Sequence, residues 1–185
     1  MLVLRGAICD SGGMASVQAL SENDRRIVAA WAADCAERVL PVFEREAPDD
    51  ARPREAIARA RAFSRGELDA AGEIRRRFVA NRAAQVVDSP AAKAAAWAAG
   101  QASGVAHMGA HALGAAAYAA KAAALAADGN GPDEISWQLE QLSAPAREAL
   151  LRLPAVGTDS SGPLGAGLLA SGVLGAHIRA IQAAL

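Results

Sequence analysis

The sequence predicts an all-α protein, a single-domain helical bundle with a central alanine-rich helix or helix pair. Alanine, the strongest helix former, dominates residues 89–127, and alternating runs of β-branched residues are missing from the chain. Glycine and proline also divide the chain into segments of helix length rather than strand length. Because alanine buries little area per residue, we expect a thin core between closely spaced helices.

Length and charge narrow the class of protein further. A chain of 185 residues is long enough for one domain with its own core. The net charge of −1 provides no basic field for nucleic acid, and the triple arginine 75–77 has no aromatic partners nearby in sequence. Cys9 and Cys35 are too few for a disulfide framework, and the N-terminus lacks a signal-peptide pattern. These features predict a cytoplasmic protein without a nucleic-acid partner.

Composition shifts divide the chain into four parts. Residues 1–20 read as a flexible lead-in, 21–153 as the helical bundle, and the PAVGTDSSGP stretch at 154–163 as a linker. We expect 164–185 to form an apolar helix that packs on the bundle or on a second subunit. In the second case the protein would be a homodimer. The apolar run of this segment is shorter than the roughly 20 residues that a bilayer requires, so no membrane span is predicted.

The first helix is predicted to begin at Ser21, a capping residue, and to kink or end at Pro41. Apolar side chains recur along it at spacings of three and four residues, which defines a buried face: Ile27, Trp31, Cys35, Val39 and Val42. A short helix then follows Arg54 and ends at Gly66, with Ile57 and Phe63 facing inward. A third helix is predicted over 67–87, with Leu68, Ala71, Ile74, Phe78 and Val86 as its core positions.

The central segment begins at Ser89-Pro90, a helix-start signal, and ends before the turn at 128–132. At 100° per residue, one stripe of this segment collects small residues and three larger polar side chains: Gly100, Gly104, His107, His111, Gly114 and Tyr118. Small residues allow a neighbouring helix to come close, so we expect the histidines to point into the remaining space. Two further helices follow the turn, separated at Pro145.

Two histidines four residues apart on a helix can share one divalent metal ion. Met108 stands where the zincin motif H-E-x-x-H requires glutamate, so a metal at His107 and His111 would need a third ligand from another helix. The candidates for that ligand are Asp34, Glu37, Glu44 and Cys35. Apart from such a metal, no cofactor is predicted. An acid–base pocket without metal and a purely structural role for the histidines remain open as alternatives.

Four segments in order resemble the small helical immunity proteins of bacterial polymorphic-toxin systems. They are WAADCAERVLPVFE (31–44), PDDARPREAI, AHMGAHALGAAAYAAKAA (106–123) and ISWQLEQL (135–142). The resemblance spans roughly residues 22–153 and implies a cytosolic protein that binds and neutralises a cognate toxin. The positions that correspond to the family are Trp31, Asp34, Cys35, Glu37, Arg54, His107, His111 and Tyr118.

A second hypothesis is an enzyme that binds a small-molecule ligand between the helices. In that case His107 and His111 would move protons or hold a metal, and Asp34 or Glu37 would orient them. Tyr118 would donate a hydrogen bond. Arg54 would hold an anionic group, and Trp31 and Cys35 would be further binding residues. A third hypothesis is a structural bundle that oligomerises through its C-terminal segment.

Overall fold

The computed structural model describes residues 16–76, 79–127 and 133–185, without the side chains of 74–76 and 80. These residues form nine α-helices and no strand, which confirms the predicted all-α class. The helices are α1 Glu22–Glu44, α2 Arg52–Ser64, α3 Ala70–Arg76, α4 Val79–Ala83, α5 Pro90–Gly104, α6 His111–Ala126, α7 Glu134–Glu140, α8 Ala144–Leu151 and α9 Gly172–Ala184. A short 3₁₀ turn, Leu168–Ala170, precedes α9. None of the described helices is long and apolar enough to cross a membrane.

The core lies where α1, α5 and α6 pack against one another. The central segment is a helix pair rather than one long helix, with α5 and α6 joined by residues 105–110. The backbone amides of Gly109 and Ala110, in this connection, donate hydrogen bonds to the carbonyls of Ala19 and Gln18. Fifteen of the eighteen alanines of α5 and α6 are buried, so the expected thin core of closely spaced helices is present.

The first helix buries much of the predicted face. Trp31, Cys35 and Val39 are buried as expected, while Val28 and Phe43 take the places expected for the half-buried Ile27 and Val42. The helix does not end at Pro41 but continues to Glu44. Pro41 faces solvent, where the missing backbone donor leaves no buried group unpaired.

The stretch 67–87 differs from its prediction as a single helix. It contains α3, whose Gly72 amide donates to the side chain of Asp69, and the separate one-turn helix α4. Ala71 and Val86, predicted as core residues, are exposed. Ile74, Phe78 and the triple arginine lie outside the described side chains. Helical periodicity alone therefore overstated the buried face of this stretch.

The terminal segments are bonded into the domain rather than attached flexibly. Gln18, which is 1% exposed, donates to Asp159 Oδ2 and to the carbonyl of Ser161, both at 2.7 Å. Its side-chain oxygen accepts the backbone amide of Leu164 at 2.9 Å. Residues 16–20 are therefore not a flexible lead-in, and 154–163 is not an unattached linker; residues 1–15 lie outside the described chain. The last helix begins at Gly172 and packs on α6 and α7.

Candidate functional site

A pocket of about 480 Å³ lies where α5 passes into α6. We call it the α5–α6 pocket. The two helices and their connection provide seven of the thirteen lining residues, α4 provides one, and the chain beyond α8 provides five. The lining residues are Asn81, Gly100, Gln101, Gly104, His107, Met108, His111, Tyr118, Gly162, Pro163, Gly167, Leu168 and Leu169.

Most of the stripe that the sequence indicated lies along this pocket. Gly100, Gly104, His107, His111 and Tyr118 all line it, although they come from two helices and their connection instead of one continuous helix. The ring centroids of the two histidines are 6.4 Å apart. The His107 side chain is exposed to solvent, whereas His111 is half-buried at the first position of α6. The stripe therefore places both imidazoles at one cavity.

A hydrogen bond fixes the tautomer of His111. Its Nδ1 lies 2.8 Å from Oε1 of Gln101, one helix away. Because an amide oxygen only accepts hydrogen bonds, Nδ1 must carry the hydrogen, and in the neutral ring Nε2 carries the lone pair. Gln101 therefore orients His111 in the way that a carboxylate or carbonyl partner orients a catalytic histidine.

Three glycines make room for the polar side chains of the pocket. A Cβ atom at Gly104 would lie 3.0 Å from Cγ of His111, and one at Gly114 would lie 2.3 Å from Oε1 of Gln101. A Cβ atom at Gly100 would lie 2.0 Å from Oδ1 of Asn81. We call Asn81, Gln101 and His111 the polar array. Each side chain of the polar array packs against the backbone of one of these glycines, and this contact preorganises the array.

Tyr118 adds a phenol to the pocket. Its ring lies 5.4 Å from that of Trp97, centroid to centroid, in a tilted arrangement. Burial raises the pKa of the Tyr118 phenol above its ordinary value, so the hydroxyl stays protonated near neutral pH. The phenol is therefore a hydrogen-bond donor or acceptor rather than a base.

The structure does not bring the predicted carboxylates to the histidines. Asp34 and Glu37 both pair with Arg61 of α2, with Asp34 Oδ1 2.7 Å from the guanidinium. Glu44 pairs with Arg54 in the same way. These side chains join α1 to α2 along the outside of the bundle, and none of them lines the α5–α6 pocket.

The metal hypothesis lacks its third ligand. In the parts of the chain that the structure describes, no group of three histidine, cysteine, aspartate or glutamate side chains could hold an ion. Asp34, Glu37 and Glu44 are held by arginines, and Cys35 lies in the core. The residues do not fit a metal at His107 and His111, because two imidazoles alone do not complete a protein zinc site.

Trp31 and Cys35 are core residues and not part of the pocket lining. The indole N–H of Trp31 donates to the carbonyl of Gln138 at 2.8 Å, which ties α1 to α7. Burial first, and then the charges of Glu134 and Asp34, raise the pKa of the Cys35 thiol well above its ordinary value of 9.0. The thiol is thus an inert buried group, and the structure places both side chains in the core, away from the lining of the α5–α6 pocket.

In a Cys9→Ser variant, Cys35 is expected to react with Ellman's reagent at pH 8 only as fast as the protein unfolds. The folded thiol is shielded and protonated, since its raised pKa lies above that of the unfolded chain. The raised pKa of Cys35 favours the folded protein at pH values below the unfolded pKa, and this contribution to stability weakens as the pH rises through 9.0 toward the folded value. Immediate reaction of the native protein, compared with a sample in guanidinium, would contradict the buried position.

The comparison with protein families agrees with the resemblance found in the sequence. Residues 18–145, about two thirds of the chain, match the model of the family described as "Imm-5 like putative immunity protein". The chain belongs to this family. No curated protein and no solved structure matches it. The part that matches the Imm-5 like family contains the polar array and both pocket histidines, whereas the segment 162–169 lies beyond it.

Sequence reasoning missed several pocket residues of this Imm-5 like protein. Gln101 has a local signal, because it is an amide inside an alanine run one helix turn from Gly104. Asn81 has no such signal, since its contact with Gly100 depends on how α4 packs on α5. The segment 162–169 was predicted as the end of a linker and the start of the C-terminal helix, and the bonds of Gln18 to Asp159, Ser161 and Leu164 show how it is held at the pocket.

Proposed function

We propose that this protein binds a cognate toxin in the bacterial cytoplasm and neutralises it. The observation that carries this proposal is the family match over residues 18–145, because the description of that family is an immunity protein. An immunity protein acts by binding, so its surface must be complementary to its toxin. The proposal therefore needs an accessible surface and does not need catalysis.

The surface that we propose for the toxin is the outer side of α1 and α2. Asp34, Glu37 and Arg54, three positions implied by the family resemblance, lie there in ion pairs with Arg61 and Glu44. We call these five side chains the α1–α2 strip. Glu37 and Arg54 are exposed, so their charges can meet a partner. Charges at the rim of an interface chiefly accelerate association and exclude wrong partners.

Co-expression with the toxin encoded beside the gene tests this role. Cells that make the wild-type protein are expected to survive, whereas a double charge reversal, Asp34→Lys with Glu37→Lys, should reduce survival and slow toxin association at low salt. Glu140→Lys changes an exposed charge on α7 and is the matched control. Equal survival with the strip variant and the control would exclude the strip as the interface. Death of cells that make the wild type would contradict the toxin role.

A second function, binding and acid–base conversion of a small molecule, is favoured by the polar array. The three glycine contacts and the bond from His111 Nδ1 to Gln101 support a preorganised site. In this reaction Nε2 of His111 would accept a proton, Gln101 would hold the ring, and Tyr118 would donate a hydrogen bond. Asp34, Glu37 and Arg54 have no part in it.

Metabolite profiling tests the second function without a known substrate. Purified wild-type protein is incubated with a metal-free extract of small metabolites, and the mixture is compared with one that contains His111→Asn. We expect at least one compound to be consumed by the wild type alone. His177→Asn is the matched control, because His177 contacts the Ala117 carbonyl on α6 and does not line the pocket. An unchanged metabolite profile would contradict catalysis.

A further inference from the structure

One side of the α5–α6 pocket comes from the chain beyond the family match. Gly162, Pro163, Gly167, Leu168 and Leu169 line it, and the match ends at residue 145. We call residues 162–169 the C-terminal wall. The side chains of the wall that line the pocket are all apolar, whereas α4, α5, α6 and the connection 105–110 contribute the imidazoles, amides and phenol. The pocket therefore combines a polar side with an apolar side.

Gln18 holds the C-terminal wall in place. Its side-chain amide donates to Asp159 and to the Ser161 carbonyl, and it accepts the Leu164 amide. Gly162 has a φ of +77°, and a Cβ atom there would lie 2.8 Å from Oε1 of Gln18. A side chain at this position would therefore be strained and would displace Gln18. Because the bonds are buried or partly buried, the wall has a defined position at the pocket.

The wall also packs directly beside the polar array. A Cβ atom at Gly114 would lie 3.1 Å from Cδ1 of Leu169 and 2.3 Å from Oε1 of Gln101, so both side chains pack against the same glycine. Leu169 is buried, but Leu168 is 69% exposed, so its side chain offers apolar surface at the pocket. Covering Leu168 with a ligand would remove this apolar surface from water.

We propose that the C-terminal wall selects the ligand of the α5–α6 pocket. The ligand is a small molecule with an apolar body, which lies against Leu168, Leu169 and Pro163. It also carries one hydroxyl or N–H group, which bonds to the side of the pocket formed by His111 and Tyr118. This inference rests on the second proposed function, because it requires that the pocket bind a small molecule. It does not require the molecule to be converted.

Two matched probes test the ligand class. p-Cresol has an apolar ring and one hydroxyl, and toluene has the same body without the hydroxyl. Titration of the full ¹⁵N-labelled chain with p-cresol is expected to shift the amide resonances of pocket residues such as Gly104 and Leu169. We expect p-cresol to bind at least threefold more tightly than toluene, about the effect of one net hydrogen bond.

Two variants test the wall itself. Leu168→Asp is expected to weaken p-cresol binding at least fivefold with little change in stability, because the side chain is exposed. Leu151→Asp is its control, since Leu151 is 58% exposed and does not line this pocket. Gln18→Met should also weaken binding and speed hydrogen exchange over the wall. Gln182→Met is its control, because Gln182 bridges Pro154 and Val156 through the same kind of amide bonds.

The outcomes separate the wall from the pocket function. If p-cresol shifts pocket resonances but both wall variants bind it like the wild type, the selective role of the wall is overturned and a small-molecule site remains. If toluene binds as tightly as p-cresol, the proposed ligand class is overturned. If neither probe shifts the pocket resonances, the inference is overturned, whereas metabolite profiling still decides the second function independently.

Discussion

Trp31→Ala is expected to lower the free energy of unfolding by roughly 3–5 kcal/mol, the usual range for a buried aromatic side chain. Trp31 is 2% exposed in the middle of α1, so its removal leaves a cavity between the helices of the core. It also leaves the Gln138 carbonyl without the indole donor. An unpaired buried acceptor adds a desolvation cost of its own. Urea denaturation followed by circular dichroism at 222 nm measures the loss.

Trp137→Ala is the matched control for this prediction. Trp137 is half-buried on α7, and the guanidinium carbon of Arg38 lies over its ring, 4.2 Å from the ring centroid. We expect this second tryptophan to contribute less to stability, since much of its surface stays in water and an exposed cation–π contact is worth about 0.5–1 kcal/mol. An equal loss for the two variants would show that Trp31 is not a principal core residue.

Gly114→Ala is expected to reduce p-cresol affinity at least tenfold while the protein remains folded. The new methyl group would lie 2.3 Å from Oε1 of Gln101, so the amide must swing away and release Nδ1 of His111. The imidazole then loses its orientation, and the polar array its geometry. Alanine is favoured over glycine inside a helix by about 1 kcal/mol, which offsets part of the crowding cost. The melting temperature should therefore change little.

Gly72→Ala is the control for this glycine variant. Gly72 lies inside α3, where a Cβ atom would meet Asp69 Oδ1 at an ordinary 3.4 Å, and it does not line the pocket. Both proteins are compared by NMR titration with p-cresol and by thermal unfolding. Wild-type affinity in Gly114→Ala would show that the contact between Gln101 and His111 does not organise the site. An equal loss in Gly72→Ala would point to a general effect on folding.

Much of the helical architecture could be predicted from local patterns. The spacing of Trp31, Cys35 and Val39 correctly identified the buried face of α1, and Ser89-Pro90 marks the start of α5. Such patterns are reliable because capping and helical periodicity involve only residues within one or two turns. The same reasoning was wrong for 67–87, where Ala71 faces solvent and two short helices replace one long one.

Charged residues illustrate what local patterns leave open. Asp34 lies four residues before Arg38, close enough on one helix to pair with it, and was predicted to orient the histidines, but it pairs with Arg61 of α2. Arg38 instead bonds to Glu134 of α7. Long side chains near a helix surface have several oppositely charged neighbours within reach, and the packing of adjacent helices decides among them.

By itself, the sequence determined that this protein is helical, that its core is built from alanine, and that glycines accompany two histidines and a tyrosine. Those properties follow from residue propensities and periodicity, which act over a few residues. Only the tertiary structure decided that Gln101 holds His111, and that Gln18 secures a wall whose Leu164 is 146 residues away. Such contacts depend on the relative placement of distant segments, which the packing of the whole domain sets.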